Sequence, residues 1–406
     1  MLLLKNADVY TPEAAGRADI LLGGGRILRV EPGIEVPARY CEQVDATGLI
    51  AAPGFIDGHV HIAGGGGEGG YATRTPEFQL SDAIRGGITT VVGCLGTDGV
   101  TRAPAGLLAK ARGLDDEGLS TFIYTGFYAV PVQTLTGSIE RDLLFIDKVI
   151  GVGEVALSDH RSTQPTFDEF TRLAAEARRG GILSGKAGVV NVHLGDGPRG
   201  LSMLRRIVAE TEIPATQFLP THINRNPSLF DEGVEYAKAG GFVDFTTSTV
   251  PAFLEEGEVP CSTGLRLMLE AGVDASHVTF TSDGQGSLPD FGPDGRLRGL
   301  GVGRVTSLFA AVREAVRGEG VPLATALQVV TSNPARILKL RGKGALEAGA
   351  DADIVLLDAA SFEIDGVIAK GRWLMKARAP LVGGTFEQDR FDDLRTAAGS
   401  VRENGP

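Results

Sequence analysis

GFIDGHVHI, residues 54–62, decides how this chain is read. The run is apolar, short enough for a strand, and closes on two histidines one residue apart. Alternation along a strand puts residues i and i+2 on one face, so His59 and His61 project together from its C-terminal end. Working outward, seven comparable runs follow: TTVVGCL (89–95), TFIYTGFY (121–128), GVGEVAL (151–157), VVNVHL (189–194), QFLPTHI (217–223), FVDFTTS (242–248) and HVTFTSD (277–283). Between them lie amphipathic helix candidates, AGLLAKARGLDDEG, FDEFTRLAAEARRGG, GLSMLRRIVAET, LFDEGVEYAKAGG and STGLRLMLEAGV, several ending at glycine as helix C-caps do. Repeated strand–helix units predict an α/β fold, a (β/α)₈ TIM-like barrel across residues 53–341. VTSLFAAVREAVRGEG and LATALQVVTSNPARILKL read as further helices after the eighth strand.

The ends of the chain have another texture. LLLKNADVY, ADILLGGGRILRVEP and EQVDATGLIAA read as short strands with turns, and DADIVLLDAASFEIDGVIAKGRWLMKARAPLVG repeats that pattern near the other end. Residues 1–52 and 342–387 are therefore expected to form one small, β-sandwich-like domain built from both termini. Residues 388–406 are expected to add a short helix and a frayed end.

A net charge of −12 and a pI of about 5.1 argue against a nucleic-acid partner, because phosphate binding needs clustered Lys and Arg. Cys41, Cys94 and Cys261 are widely spaced, odd in number and without a C-x-x-C, so they read as small buried hydrophobes in a reducing compartment, not as disulfides or a zinc site. The apolar start stops at Lys5, too early for a signal peptide or a membrane span. A cytoplasmic location without a membrane partner is expected.

The chain has six histidines, and four fall near the C-terminal ends of predicted strands: His59 and His61 on the first, His193 on the fifth, His222 on the sixth. Active sites of barrels lie on that face. Glu154 falls within the fourth strand and Asp283 closes the eighth. Nitrogen and oxygen ligands from five strands can hold two divalent metal ions, and imidazole with carboxylate favours Zn²⁺. His277 enters the last strand from the other end and reads as structural. His160, after the fourth strand, reads equally as a support for the site or as a plain loop residue.

PGFIDGHVHIAGGGGEGGYATRTPE, LGTD at 95–98, LSDHRS at 157–162, PTHINRN at 220–226 and SDGQGS at 282–287 resemble, in order and spacing, the motifs of the β-aspartyl (isoaspartyl) dipeptidases of the amidohydrolase superfamily. The resemblance covers nearly the whole chain. It implies one metal on His59, His61 and Asp283, another on His193 and His222, and a bridging carboxylate between them. In the family that bridge is usually a carbamylated lysine, whereas the matching position here is Glu154. Charge and ligand type are kept, but the glutamate carboxyl lies roughly 3–4 Å closer to the backbone, so the fourth strand or the metal pair must shift. Lys148 and Lys186 are poorly placed to supply a carbamate. Glu154 is therefore expected to bridge the ions directly, without dependence on bicarbonate.

The resemblance further implies a water activated by the metals, Asp283 as general base and then acid, and Tyr128 as hydrogen-bond donor to the developing oxyanion. Glu68 would take the substrate's α-ammonium group, and Arg161, Arg225 and Ser287 its carboxylates, with Gly66 and Thr97 adding hydrogen bonds. The partner so described is a small zwitterionic peptide, and relatives of this kind form homo-oligomers. Two other readings stand beside it: an amidohydrolase acting on N-acyl amino acids or cyclic amides, and a metal-free scaffold protein.

Overall fold

The computed structural model describes residues 1–291 and 297–387. The helix and frayed end expected after about Gln388 lie outside the described residues. Eight parallel strands among them make the barrel: Phe55–Val60, Ile88–Gly93, Ser120–Thr125, Val149–Leu157, Val189–Leu194, Phe218–Thr221, Val243–Thr246 and Val278–Thr281. The first six pair in sequence order, and the seventh pairs with the eighth. The ring closes at two seams. Ile223 N donates to the Asp244 carbonyl at 3.2 Å, and His61 N donates to the Gly284 carbonyl at 2.8 Å. Strands buried on both faces read as continuous apolar runs, which is why such runs located them.

The strands end earlier at the mouth than the apolar runs suggest. Tyr128, His222 and Asp283 sit just past their strands, and His222 (φ 63°) and Asp283 (φ 52°) adopt the left-handed backbone region. Such conformations are costly for residues other than glycine and cluster at functional sites.

Two helix expectations need correction. The helix expected to stop at Gly180–Gly181 runs over Phe167–Ser184 and is closed by Gly185 in the left-handed conformation. LATALQVVTSNPARILKL is two short helices, Leu323–Gln328 and Ser332–Ile337. Pro334 lacks an N–H and is tolerated in the first turn of the second helix, whereas a continuous helix would place it in the interior. Ala335, Ile337, Leu338 and Leu340 pack with Ile56, Tyr124, Ile150 and Leu219 in one buried cluster.

Strands from both ends share a second sheet, in the order Ala379–Pro380, Arg372–Lys376, Ile364–Ala369, Ile354–Asp358, Leu49–Pro53, Leu2–Tyr10, Ala14–Gly23 and Arg26–Glu31, with Glu42–Asp45 also on Leu2–Tyr10. The junction is antiparallel, with Val355 opposite Ala52. Among the described residues no helix is long and apolar enough to cross a membrane.

Phe245 is fully buried, stacked on Phe280 at 5.8 Å between centroids and tilted against Phe230, also at 5.8 Å. Phe245→Ala should lower stability by about 3–5 kcal/mol, the usual cost of emptying an aromatic core site. A chemical denaturation midpoint equal to that of the parent protein would contradict this packing account.

Candidate metal centre and substrate pocket

The mouth of the barrel gathers His59, His61, Glu154, His193, His222 and Asp283. Glu154 lies at the middle. Its Oε1 is 3.3 Å from His61 Nε2, and its Oε2 is 3.4 Å from His59 Nε2, 3.2 Å from His193 Nδ1 and 3.8 Å from His222 Nε2. Asp283 Oδ1 completes one side, 3.0 Å from His61 Nε2 and 3.7 Å from His59 Nε2. Ligand atoms about 2.0–2.1 Å from one tetrahedral ion lie roughly 3.3–3.4 Å from each other, so these separations suit atoms grouped around a cation. The ligand atoms fall into two groups that share Glu154: one with His59, His61 and Cys94, the other with His193 and His222.

Buried polar atoms normally find a partner. Both ring nitrogens of His59 and Oδ1 of Asp283 are buried without a well-aligned hydrogen bond, close as the neighbouring ligand atoms are. A cation would satisfy them, and the donor set fits a divalent metal. Electrostatics agree. Burial pushes the Glu154 carboxyl up, but His59, His193 and His222 outweigh it and hold it well below the usual range. Burial likewise opposes ionisation of Asp283, yet the surrounding His61, His59 and His222 bring it down to about 2. Burial, and then the charge of His193, lower His222 to about 3, leaving the neutral imidazole that a metal requires.

The shorter reach of Glu154 meets a local change in the fourth strand. Val152 pairs with Val190 and Val155 with Val192, so Gly153 and Glu154 together oppose the single residue Asn191. This is a β-bulge, a device that re-aims a side chain. Glycine is needed there, because a Cβ on Gly153 would lie 2.8 Å from Asn191 Cβ at a backbone φ of 151°. Lys148 is paired with Asp115 at 3.1 Å, and Lys186 donates to the carbonyls of Leu143 and Ile146, so both are engaged elsewhere.

The residues expected to bind substrate lie beside this cluster. Glu68 Oε1 accepts from Thr97 Oγ1 at 3.0 Å and lies 3.4 Å from Arg161 Nη1, while Oε2 accepts from Ser287 Oγ at 3.2 Å. Gly66 belongs to the same loop and bridges to Arg74. Tyr128 is buried with its hydroxyl 2.8 Å from His193 Nδ1, and burial, with Glu154 next, raises its pKa well above the ordinary value, so it stays protonated. Arg225 stands apart from Glu68. Its Nη1 is 3.7 Å from Asp196, and its buried Nε has no partner.

Two neighbours of the centre went unread in the sequence. Cys94, read as a small buried hydrophobe, is buried and free, but its Sγ lies 3.8 Å from His61 Nδ1 among the candidate ligands. Its place at the end of the second strand, TTVVGCL, was the available signal. Asp159, inside LSDHRS, lies 3.0 Å from His193 Nε2. His277 Nδ1 donates to the Gly241 carbonyl at 2.7 Å, away from the mouth, and His160 is exposed.

Removing bound metal with a chelator should lower thermal stability, since acids and imidazoles gathered for a cation then face one another uncompensated. An ion present at 100 to 1,000 times its Kd contributes about 2.7–4.1 kcal/mol. Identical melting of chelated and metal-loaded protein would contradict a metal centre.

Residues 234–374 match the amidohydrolase family. The solved β-aspartyl dipeptidase of Fervidobacterium islandicum AW-1, in complex with β-Asp-Leu dipeptide, is 49% identical and superposes with a TM-score of 0.87 over 94% of this chain and 98% of that one. A D-hydantoinase from a Bacillus species, at 17% identity and a TM-score of 0.66 over 95% of this chain and 97% of that one, shares the fold. A dihydroorotase of Staphylococcus aureus is 41% identical over 91 residues only, so the match spans 22% of this chain and 20% of that relative. Near-complete coverage at such identity by a β-aspartyl dipeptidase, with the amidohydrolase match, shows that this chain belongs to the β-aspartyl dipeptidase family of amidohydrolases.

Proposed function

We propose that this protein is a metal-dependent dipeptidase that hydrolyses the β-aspartyl (isoaspartyl) amide bond of short peptides with two divalent ions, zinc by ligand chemistry. The observation that carries the reading is the pairing of Glu68 with Arg161 at 3.4 Å beside the metal ligands. An acid and an arginine that close together suit a head group whose ammonium and carboxylate sit on one carbon, as in the aspartyl residue of the substrate. Thr97 and Ser287 hold Glu68 ready for the ammonium, and Arg225, with an unpaired Nε, is the candidate for the remaining carboxylate. The β-Asp-Leu bound to the F. islandicum relative has that chemistry. A neutral cyclic amide offers no ammonium to Glu68.

When bound, the metals acidify a water and polarise the scissile carbonyl. Asp283, ionised at neutral pH, takes the proton of the attacking water and hands it to the leaving amine as the C–N bond breaks. The Tyr128 hydroxyl, kept protonated, donates a hydrogen bond to the carbonyl oxygen as charge develops there. Residues 53–341 form the catalytic barrel in this reading, and those at 1–52 and 342–387 form the β domain. A cytoplasmic location accompanies it, supported by the acidic composition and the free cysteines, and a homo-oligomeric state goes with it by resemblance to the family alone.

Two outcomes are expected. β-Asp-Leu should be turned over in preference to N-acyl amino acids and cyclic imides, and Glu68→Gln should cut kcat/KM roughly 10- to 150-fold, equivalent to about 1.5–3 kcal/mol for a hydrogen bond to a charged group. Absence of β-Asp-Leu turnover alongside activity on another class would reject the assignment. Activity should also persist in bicarbonate-free buffer. Loss there and recovery on resupply would place a carbamate, instead of Glu154, between the ions.

A further inference from the structure

We infer that Asp159 is a positioning residue that holds His193 in its metal-binding tautomer and Arg161 in its substrate-binding pose through one carboxylate. The inference rests on the metal-pair reading above. Asp159 lies in the turn after the fourth barrel strand with its side chain 4% exposed. Its Oδ2 is 3.0 Å from His193 Nε2 and accepts from Arg161 Nη2 at 2.7 Å. Its Oδ1 accepts from Arg161 N at 2.7 Å and from Arg161 Nε at 2.9 Å. Arg161 Nη2 also lies 3.2 Å from His193 Nε2; in the tautomer inferred here both groups are N–H donors, so they do not bond to each other and share Oδ2 as acceptor.

A neutral imidazole carries one N–H. If Nε2 gives it to Asp159, the lone pair is left on Nδ1, the nitrogen 3.2 Å from Glu154 Oε2. A carboxylate behind a ligating histidine fixes the ring's orientation and raises its basicity. The same carboxylate leaves Arg161 Nη1 facing Glu68. Metal ligand, Asp159, Arg161 and Glu68 therefore form one connected chain from the cation to the substrate's head group.

The surrounding backbone is built to keep Asp159 in place. Its carbonyl accepts from Ser162 N at 3.2 Å and from Gln164 Nε2 at 2.9 Å. The loop after the fifth strand packs against it through Gly195, where a Cβ would come within 2.5 Å of Asp159 Cβ. That contact admits only a hydrogen at residue 195.

The test is Zn²⁺ and Co²⁺ binding, by titration and elemental analysis, to wild type, Asp159→Ala, Asp159→Asn and Arg161→Ala. Wild type should hold two ions per chain. Asp159→Ala should weaken one site about 10- to 100-fold and leave the other at wild-type affinity. Arg161→Ala should keep both sites intact while raising KM for β-Asp-Leu, which separates the two duties of Asp159. If Asp159→Ala does not fold, Asp159→Asn is read in its place, since one amide oxygen cannot serve His193 and Arg161 together. Two ions at wild-type affinity in the Asp159 variants, or equal weakening in Arg161→Ala, overturns the inference alone. A wild-type protein that fails to bind two ions overturns the metal-pair reading and this inference with it.

Discussion

A buried carboxylate set among four imidazoles is the constraint around which the rest of this molecule is arranged. Glu154 is 1% exposed, and His59, His61, His193 and His222 all place a ring nitrogen within 3.8 Å of it. Asp283 adds a second ionised acid a few ångströms away. Burying two carboxylates is costly unless charge of the opposite sign is supplied. The surrounding histidines supply part of that charge, and a bound divalent metal would supply more and would also satisfy the orphaned atoms of His59 and Asp283.

The fold meets that constraint by local departures from regularity. The bulge at Gly153–Glu154 interrupts the strand where the acid leaves it, and His222 and Asp283, two further candidate ligands, adopt left-handed conformations just past their strand ends. One residue before the candidate ligand His222, Thr221 donates to Asp244, which also accepts from Thr279 and Thr281, each at 2.6 Å, tying together the strands that lead to His222 and Asp283. Regular strands supply the rigid frame, and irregular residues aim the chemistry.

Much of this was legible in the sequence because barrel strands buried on both faces announce themselves as apolar runs, and because histidines are few enough here for their positions to carry weight. The terminal β segments were visible for the same reason. What stayed hidden depends on neighbours distant along the chain. Asp159 acquires meaning only once His193 lies beside it, and Cys94 only beside His61. The helices Leu80–Gly86 and Ile139–Phe145 are too short to show a periodic face, and the hairpin of Ser287–Phe291 with Leu297–Val302 follows the eighth strand without an apolar signature of its own. The break before Ser332–Ile337 was marked by Pro334, a signal outweighed by the apolar residues around it.

The account is tested most directly by anomalous diffraction from crystals of the zinc-loaded protein, collected at the zinc edge. It predicts two peaks flanking the Glu154 carboxylate, about 3.5–4 Å apart as in other two-metal hydrolytic sites, with continuous density from each to one Glu154 oxygen. A single peak, no peak, or a pair joined through some other group with Glu154 turned aside would contradict it.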